Sequence, residues 1–384
     1  MDVFEPARLG PLTLKNRIIK AATFEGVSPR GQVTDDLVAF HRRVAAGGAA
    51  MTTVAYLAVS PEGRTDRHCI HLDGSAVAGL RRLTDAVHGD GALVSAQLGH
   101  AGPVANGRSN GARALAPSRR LSPMGSVLRA VDEDSIARIV GDYGRAAALA
   151  MDAGFDCIEV HVGHNYLLSA FLSPKLNRRT DSWGGSLANR ARLARQVLAA
   201  VRQAVGATVA VTAKLNMSDG VPGGLWLDDS VAFARMVQED GTVDALELTG
   251  GSSLSNPMYL FRGEAPRRQF AATLPLPLRA GMRLVGGRFL KEYPYEEAFF
   301  LPYALQFRAA LSMPLILLGG VSRLDTVESA LQQGFAFVAM ARALLREPDL
   351  VEKMRIGRSS SSLCVHCNRC MPTIYSGTRC VLVD

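Results

Sequence analysis

No stretch of the 384-residue sequence stays apolar for the roughly 18 residues that a membrane crossing requires, which argues against a spanning helix. A secretory leader is missing as well. Asp2, Glu5, Arg8, Lys15 and Arg17 interrupt the segment where a signal would need an apolar centre, so a cytoplasmic location is expected. Dense basic runs are absent. The formal charge is +8, but its carriers are scattered, with only short pieces such as Arg119-Arg120 and Arg267-Arg268. With no accompanying RNA or DNA motif, this excludes a nucleic-acid partner and fits anionic small molecules. No G-x-G-x-x-G follows the first strand-like run, which speaks against a doubly wound dinucleotide fold. There is no repeat of fixed short period, and Ser359–Ser362 is the one low-complexity stretch, read as a linker.

What is present is a barrel-like alternation. Hydrophobic residues make up 48 % and charged residues 20 %, ordinary for a folded globular chain. Strand-like runs fall at Arg17–Ala22, Met51–Ala58, Ala92–Leu98, Cys157–His161, Val209–Leu215, Ala245–Thr249, Leu315–Gly319 and Phe337–Met340. Several lack polar alternation, as strands buried on both faces should. Helix-period segments lie between them. Thr34 can cap one with Leu37, Phe40, His41 and Val44 on a face; Asp132 can cap another with Ile136, Ile139, Val140 and Tyr143; Ser322–Gln333 reads likewise. Eight such units predict an α/β fold of the (β/α)₈ barrel type, with chemistry at the C-terminal strand ends. Gly99–Ser126 and Gly250–Pro294 are long insertions expected on that catalytic face. The barrel is expected to span residues 1–358, and a cysteine-rich tail residues 359–384.

The run Glu159-Val160-His161-Val162-Gly163-His164-Asn165-Tyr166-Leu167-Leu168, continuing through Asn177-Arg178-Arg179-Thr180-Asp181-Ser182-Trp183-Gly184-Gly185-Ser186, closely resembles the Old Yellow Enzyme family of NADH:flavin oxidoreductases. Trp183 stands where the family usually has Tyr. Leu9–Arg17, Ser95–Gly102, Gly319–Val321 and Met340–Leu344 match the family in order, so the resemblance covers nearly the whole chain. It implies the barrel, bound FMN, and NADPH or NADH as hydride donor.

Carried onto this sequence, the resemblance makes His161 and His164 imidazole donors to a ligand oxygen above the flavin, and Tyr166 a proton donor. Read without it, spaced histidines could equally be metal ligands or packed core. Gln97 would meet the flavin pyrimidine edge, where an amide can both donate and accept. Lys214, where many relatives carry Arg, would stand beside N1 and the C2 carbonyl. Gly320, Val321, Ala341 and Arg342 would hold the phosphate. Ala22, Thr23 and Phe24 would run under the flavin, and the Tyr56 backbone would add a contact. Phe24 is a departure, since relatives place Thr or Cys there. The implied acceptor is a small α,β-unsaturated carbonyl compound, reduced by ping-pong hydride transfer. Tyr259, Arg262 and Tyr293 in the second insertion are candidates for a substrate cap.

Cys364, Cys367, Cys370 and Cys380 form a C-x₂-C-x₂-C-x₉-C set. Such spacing suits metal ligation, and a [4Fe–4S] cluster, a zinc ion and unligated thiols all stay open. Relatives similar to 2,4-dienoyl-CoA reductase or trimethylamine dehydrogenase carry a cluster there, with a third spacing one residue longer, and continue into a nucleotide-binding domain. A chain stopping at Asp384 is expected to lack that internal electron partner. NADH against NADPH and the oligomeric state are open, a homo-oligomer being one expectation.

Overall fold

The computed structural model of the chain describes residues 2–121, 127–274 and 276–383. Eight parallel strands close into a barrel: β1 (Ile18–Lys20), β2 (Met51–Ala58), β3 (Leu93–Gly99), β4 (Cys157–Val162), β5 (Ala210–Asn216), β6 (Ala245–Thr249), β7 (Leu315–Leu318) and β8 (Phe337–Met340). Each pairs with the next, and β8 returns to β1 through Val338↔Ile18 and Met340↔Lys20. Every residue of β2, β4, β5 and β6 is buried, which is why these runs read as continuous apolar strands.

The surrounding helices are α1 (Asp35–Ala46), α2 (Gly74–Gly89), α3 (Glu133–Asp152), α4 (Leu187–Val205), α5 (Leu227–Asp240), α6 (Leu301–Ala310), α7 (Leu324–Gln332) and α8 (Leu350–Arg355). Thr34 caps α1 by accepting the Leu37 N–H at 3.2 Å, and Asp132 caps α3 by accepting that of Ser135 at 2.9 Å. Losing either cap costs about 1 kcal/mol. The buried face of α1 is Leu37, Phe40, His41 and Val44, as its period predicts. On α3 it is Ile136, Ile139 and Tyr143, with Val140 half-buried at the edge. α7 starts two residues later than its pattern suggests, because the Glu297 carboxylate accepts the N–H groups of Ser322 and Arg323 and holds them outside the helix.

A hairpin of Ala7–Leu9 and Leu12–Leu14 closes the N-terminal end of the barrel. Its Leu9 and Leu14 join Ile19, Met51, Ala210, Ala245 and Phe337 in one apolar cluster. That leaves the C-terminal strand ends for chemistry. Both insertions emerge there. The first carries a small sheet of Leu115–Ala116, Arg120–Leu121 and Val127–Ala130, and its residues 122–126 lie outside the described residues. The second carries helices Met258–Phe261, Arg267–Ala272 and Leu276–Phe289. Among the described residues no helix is long and apolar enough to cross a membrane. The serine run expected as a linker is instead tied to the barrel: Ser360 O accepts the Leu324 N–H, and Ser362 N–H donates to Ser322 O.

Candidate active site

The turn after β4 is built around two consecutive residues in the left-handed region, His164 (φ 58°) and Asn165 (φ 60°). Such backbone costs on the order of 1–3 kcal/mol for a residue like His and persists only where its surroundings enforce it. Here they do. The His164 N–H donates to Asn216 Oδ1 at 3.1 Å, its carbonyl accepts the Ser253 N–H at 3.0 Å, and Ser169 Oγ donates to Gly163 O at 2.7 Å. Asn216 is itself held by Asp219 Oδ1 and Gly251 O, each at 2.9 Å.

This turn brings the two histidines together, with His161 Nε2 3.0 Å from His164 Nδ1. The other nitrogen of His164, Nε2, lies 3.0 Å from Thr249 Oγ1 at the end of β6. Tyr166, at the start of helix Leu167–Leu172, sets its ring edge-on to His161 with centroids 4.5 Å apart. Burial keeps both imidazoles neutral; the charge of Lys214 adds to this, and for His161 the His164 ring does as well. His161 is held well below its ordinary range and His164 is pushed down to about 3. The buried Nδ1 of His161 has no hydrogen-bond partner among the described residues. Two neutral imidazoles can donate N–H to a ligand oxygen without becoming charged.

Below the pair lies a layer of charge. Lys214 Nζ is 3.0 Å from Glu159 Oε1 and 2.5 Å from Glu247 Oε1, and Gln97 Nε2 donates to Glu159 Oε1 at 2.6 Å. The barrel register puts these groups level, with Lys214 opposite Glu247 and Gln97 opposite Glu159. Burial alone would lower the Lys214 pKa, but the two carboxylates outweigh it and raise it. Glu247 is raised too, by burial and by the like charge of Glu159, because two carboxylates compete for one ammonium.

At the end of β1, Lys20 Nζ donates to Ala21 O and Thr23 Oγ1, each at 2.7 Å. Phe24 turns into an apolar wall with Ala22, Tyr56, Cys69 and Tyr166. The Tyr56 carbonyl accepts the Cys69 thiol at 3.3 Å, so one lone pair of that expected cofactor contact is already engaged. Tyr259 is buried against Phe300 and Tyr293, and the Arg262 guanidinium stacks 4.8 Å from the Phe299 ring centre. These cap candidates are therefore packed together over the β6 and β7 ends.

The tail folds back onto the same face. Thr378 Oγ1 donates to Phe24 O and its N–H to Glu25 O. Arg342 sends Nη1 to Arg262 O, at 3.0 Å, and to Asn368 Oδ1. One nitrogen of its guanidinium is thus engaged by the second insertion and the tail. Cys364, Cys367, Cys370 and Cys380 line one cavity with Arg342 and Arg346. All four are free thiols. Among the described residues no three His, Cys, Asp or Glu side chains are placed to share a single metal ion.

The expected residues thus divide in two. His161, His164, Tyr166, Gln97 and Lys214 converge on the β3–β5 ends, while Ala341, Arg342, Gly320 and Val321 lie across the barrel beside the tail. Lys20, Glu159, Asn216, Glu247, Thr249 and Glu297 were not anticipated. A charge inside a strand buried on both faces is the signal that could have found Lys20, Glu159 and Glu247. The donor set fits FMN. Gln97 can match the mixed donors and acceptors of a pyrimidine edge, and Lys214 has a third N–H beyond those facing its two carboxylates.

Residues 2–250 match the model of the NADH:flavin oxidoreductase / NADH oxidase family. The chain is 61 % identical over 385 residues to a 4,4'-dithiodibutanoate disulfide reductase of Rhodococcus erythropolis, covering 100 % of this chain and 95 % of that protein. It is 28 % identical over 374 residues to an NADH oxidase of Thermoanaerobacter brockii, covering 96 % of this chain but 53 % of that protein, so it spans about half of the longer relative. An Old Yellow Enzyme homologue from Zymomonas mobilis superposes with a TM-score of 0.75 at 23 % identity, covering 96 % of both chains, which supports the fold. With the barrel, the convergent site and a family match over most of its length, the chain belongs to the NADH:flavin oxidoreductase / NADH oxidase family and is an FMN-dependent NAD(P)H oxidoreductase.

Proposed function

We propose that this enzyme reduces a small organic disulfide bearing carboxylate ends at the expense of NAD(P)H. Support comes from the named substrate of the relative that matches along the whole chain. The observation that carries the reading is the neutral pair of buried His161 and half-buried His164, facing Tyr166. Overall, the S–S bond breaks as the nicotinamide gives a hydride and one proton is taken up, yielding two thiols and NAD(P)⁺. Bound FMN supplies the two-electron hydride chemistry between the two substrates. The imidazoles bind an acceptor oxygen and orient it. Tyr166 delivers a proton to the leaving sulfur. Gln97 and Lys214 orient the pyrimidine edge and offset negative charge there, and backbone N–H groups of Gly320, Val321 and Ala341 hold the phosphate.

A second reading is supported by the same constellation. With an α,β-unsaturated carbonyl compound the imidazoles hold the carbonyl oxygen and Tyr166 protonates the α-carbon, giving an ene-reductase. The two are separated by an anaerobic absorbance titration. The flavin should bleach with NADH or NADPH and recover with 4,4'-dithiodibutanoate faster than with cyclohexenone. Recovery with the enone alone selects the second reading, and a purified protein without flavin overturns both.

We further propose that the four tail thiols hold an iron–sulfur cluster, a reading supported by their C-x₂-C-x₂-C-x₉-C spacing and the cavity they share. Cys364, Cys367, Cys370 and Cys380 would hold it, with Arg342 and Arg346 offsetting its negative charge. Iron and acid-labile sulfide near zero in anaerobically purified protein would remove this assignment.

A further inference from the structure

We propose that Thr249 is a positioning residue that sets the tautomer of His164 and so fixes how many N–H donors the imidazole pair turns toward an acceptor oxygen. The inference rests on the reading that the pair grips such an oxygen.

A neutral imidazole has one hydrogen for two nitrogens. His164 has a neighbour at hydrogen-bond distance on both: Thr249 Oγ1 at Nε2 and His161 Nε2 at Nδ1, each 3.0 Å away. The backbone that carries the ring to these two partners is pinned on both sides by Asn216 and Ser253 in a left-handed turn. With the hydrogen on Nε2, a lone pair at Nδ1 would face the ligand and repel its oxygen. With the hydrogen on Nδ1, both Nδ1 of His164 and Nε2 of His161 can donate to one oxygen. That arrangement leaves a bare lone pair at Nε2 of His164, turned toward the buried Thr249 hydroxyl, and such a lone pair needs a donor.

Thr249 supplies it. Its side chain is fully buried at the end of β6, where the hydroxyl rotor can point its hydrogen at Nε2. The site is close-packed: a Cβ added at Gly163 would lie 3.2 Å from Thr249 Cγ2 and 3.5 Å from His161 Nε2. Without a ligand, the His164 Nδ1–H then donates to His161 Nε2, and His161 keeps its own hydrogen on Nδ1, the buried nitrogen with no partner among the described residues. Ligand binding moves the His161 hydrogen from Nδ1 to Nε2 and leaves that of His164 in place. The two histidines are thereby unequal: His164 is the constant donor and His161 the one that switches.

The experiment is ¹⁵N NMR of the imidazole nitrogens in the FMN-loaded protein, with and without phenol as the probe, joined to calorimetric phenol binding by Thr249→Val and Thr249→Ser. His164 should show a protonated Nδ1 and a bare Nε2 in both states, and His161 should exchange its protonated nitrogen when phenol binds. Phenol affinity should fall about threefold to tenfold in Thr249→Val and return in Thr249→Ser. A hydrogen on His164 Nε2 in the phenol complex, or wild-type affinity in Thr249→Val, overturns the proposal. His161→Ala with His164→Ala separates the two levels. If that double variant binds phenol normally, the imidazole reading itself fails; if it does not, while Thr249→Val does, only the role of Thr249 is lost.

Discussion

Lys214 and Lys20 are buried in the same barrel and compensated in opposite ways. Lys214 sits between two carboxylates at 3.0 and 2.5 Å, and its pKa is raised despite burial. Lys20 forms no ion pair among the described residues. It has a carbonyl, a hydroxyl and, 5.6 Å away, the face of the Phe40 ring; burial pulls its pKa down to about 8, only partly offset by the more distant Glu25 and Glu247 carboxylates and opposed further by Lys214. An ammonium taken from water is tolerated either because counter-charges in contact answer it or because dipoles and more distant carboxylates half-answer it, and the second way leaves a standing cost. The lesson is that burial alone does not say whether a charge stabilises a fold; its partners do.

The largest effect should come from breaking the paired side. Lys214→Met strands Glu159 and Glu247 together in the barrel, and should destabilise by about 3–5 kcal/mol in urea unfolding at neutral pH. The loss should shrink in mild acid, where a protonated Glu247 relieves the repulsion. A loss below about 1 kcal/mol would mean that the two carboxylates are not answered by Lys214 at all.

Glu247→Gln sharpens the same side more gently, since one carboxylate remains for the ammonium. A carboxyl whose folded pKa is raised binds its proton more tightly in the native state than in the unfolded chain. Native stability therefore falls as pH rises from the unfolded value of 4.5 toward the folded one. Because Gln stands in for the protonated carboxyl, the relief of that penalty offsets the lost contact with Lys214; the variant should stay within about 1 kcal/mol of wild type at neutral pH and lack that component of the slope. An unchanged slope would assign it to another group.

The two lysines also differ in how far the sequence exposes them. The eight strands were legible because strands buried on both faces must be apolar throughout, and the β4 turn because its residues form a long match. Lys214 is legible as a strand-end cation standing where many of the family's relatives carry Arg. Its partners are not, because which strands become neighbours, and in what register, is fixed only when the barrel closes; Glu247 reaches Lys214 through that register alone. Lys20 sits inside the strand-like run Arg17–Ala22, with no carboxylate beside it in sequence to mark it as compensated. Thr249 ends a strand-like run, and nothing local joins it to a histidine 85 positions away. The four cysteines line one cavity, and the grip of Asn368 on Arg342 depends on tail packing.

On the unpaired side the sign reverses. Lys20→Met removes a cation whose pKa is lowered from 10.5 to about 8, a penalty of at most about 3 kcal/mol, and gives up two hydrogen bonds of about 1 kcal/mol each. The net expectation at neutral pH is a gain of about 1 kcal/mol. For a base with a depressed folded pKa the penalty is full below about 8, and wild-type stability should recover as pH rises from there toward 10.5. Lys20→Met should lack this recovery, and denaturant midpoints compared on either side of the window would show it. A loss resembling that of Lys214→Met would erase the contrast between the two lysines.

The smallest and most specific change is Thr23→Val. It keeps the shape beside Lys20 and removes one of the two oxygens that receive its hydrogens. If dipoles are what hold the unpaired ammonium, losing one must lower its pKa further, so the stability recovery should begin at a lower pH than in the wild type. The cost at neutral pH should stay near 1 kcal/mol. Titrating the Lys20 Nζ by ¹⁵N NMR reads the shift directly. An unmoved titration would mean that Ala21 O and the Phe40 face suffice, and that the Thr23 hydroxyl is held by Lys20 rather than holding it.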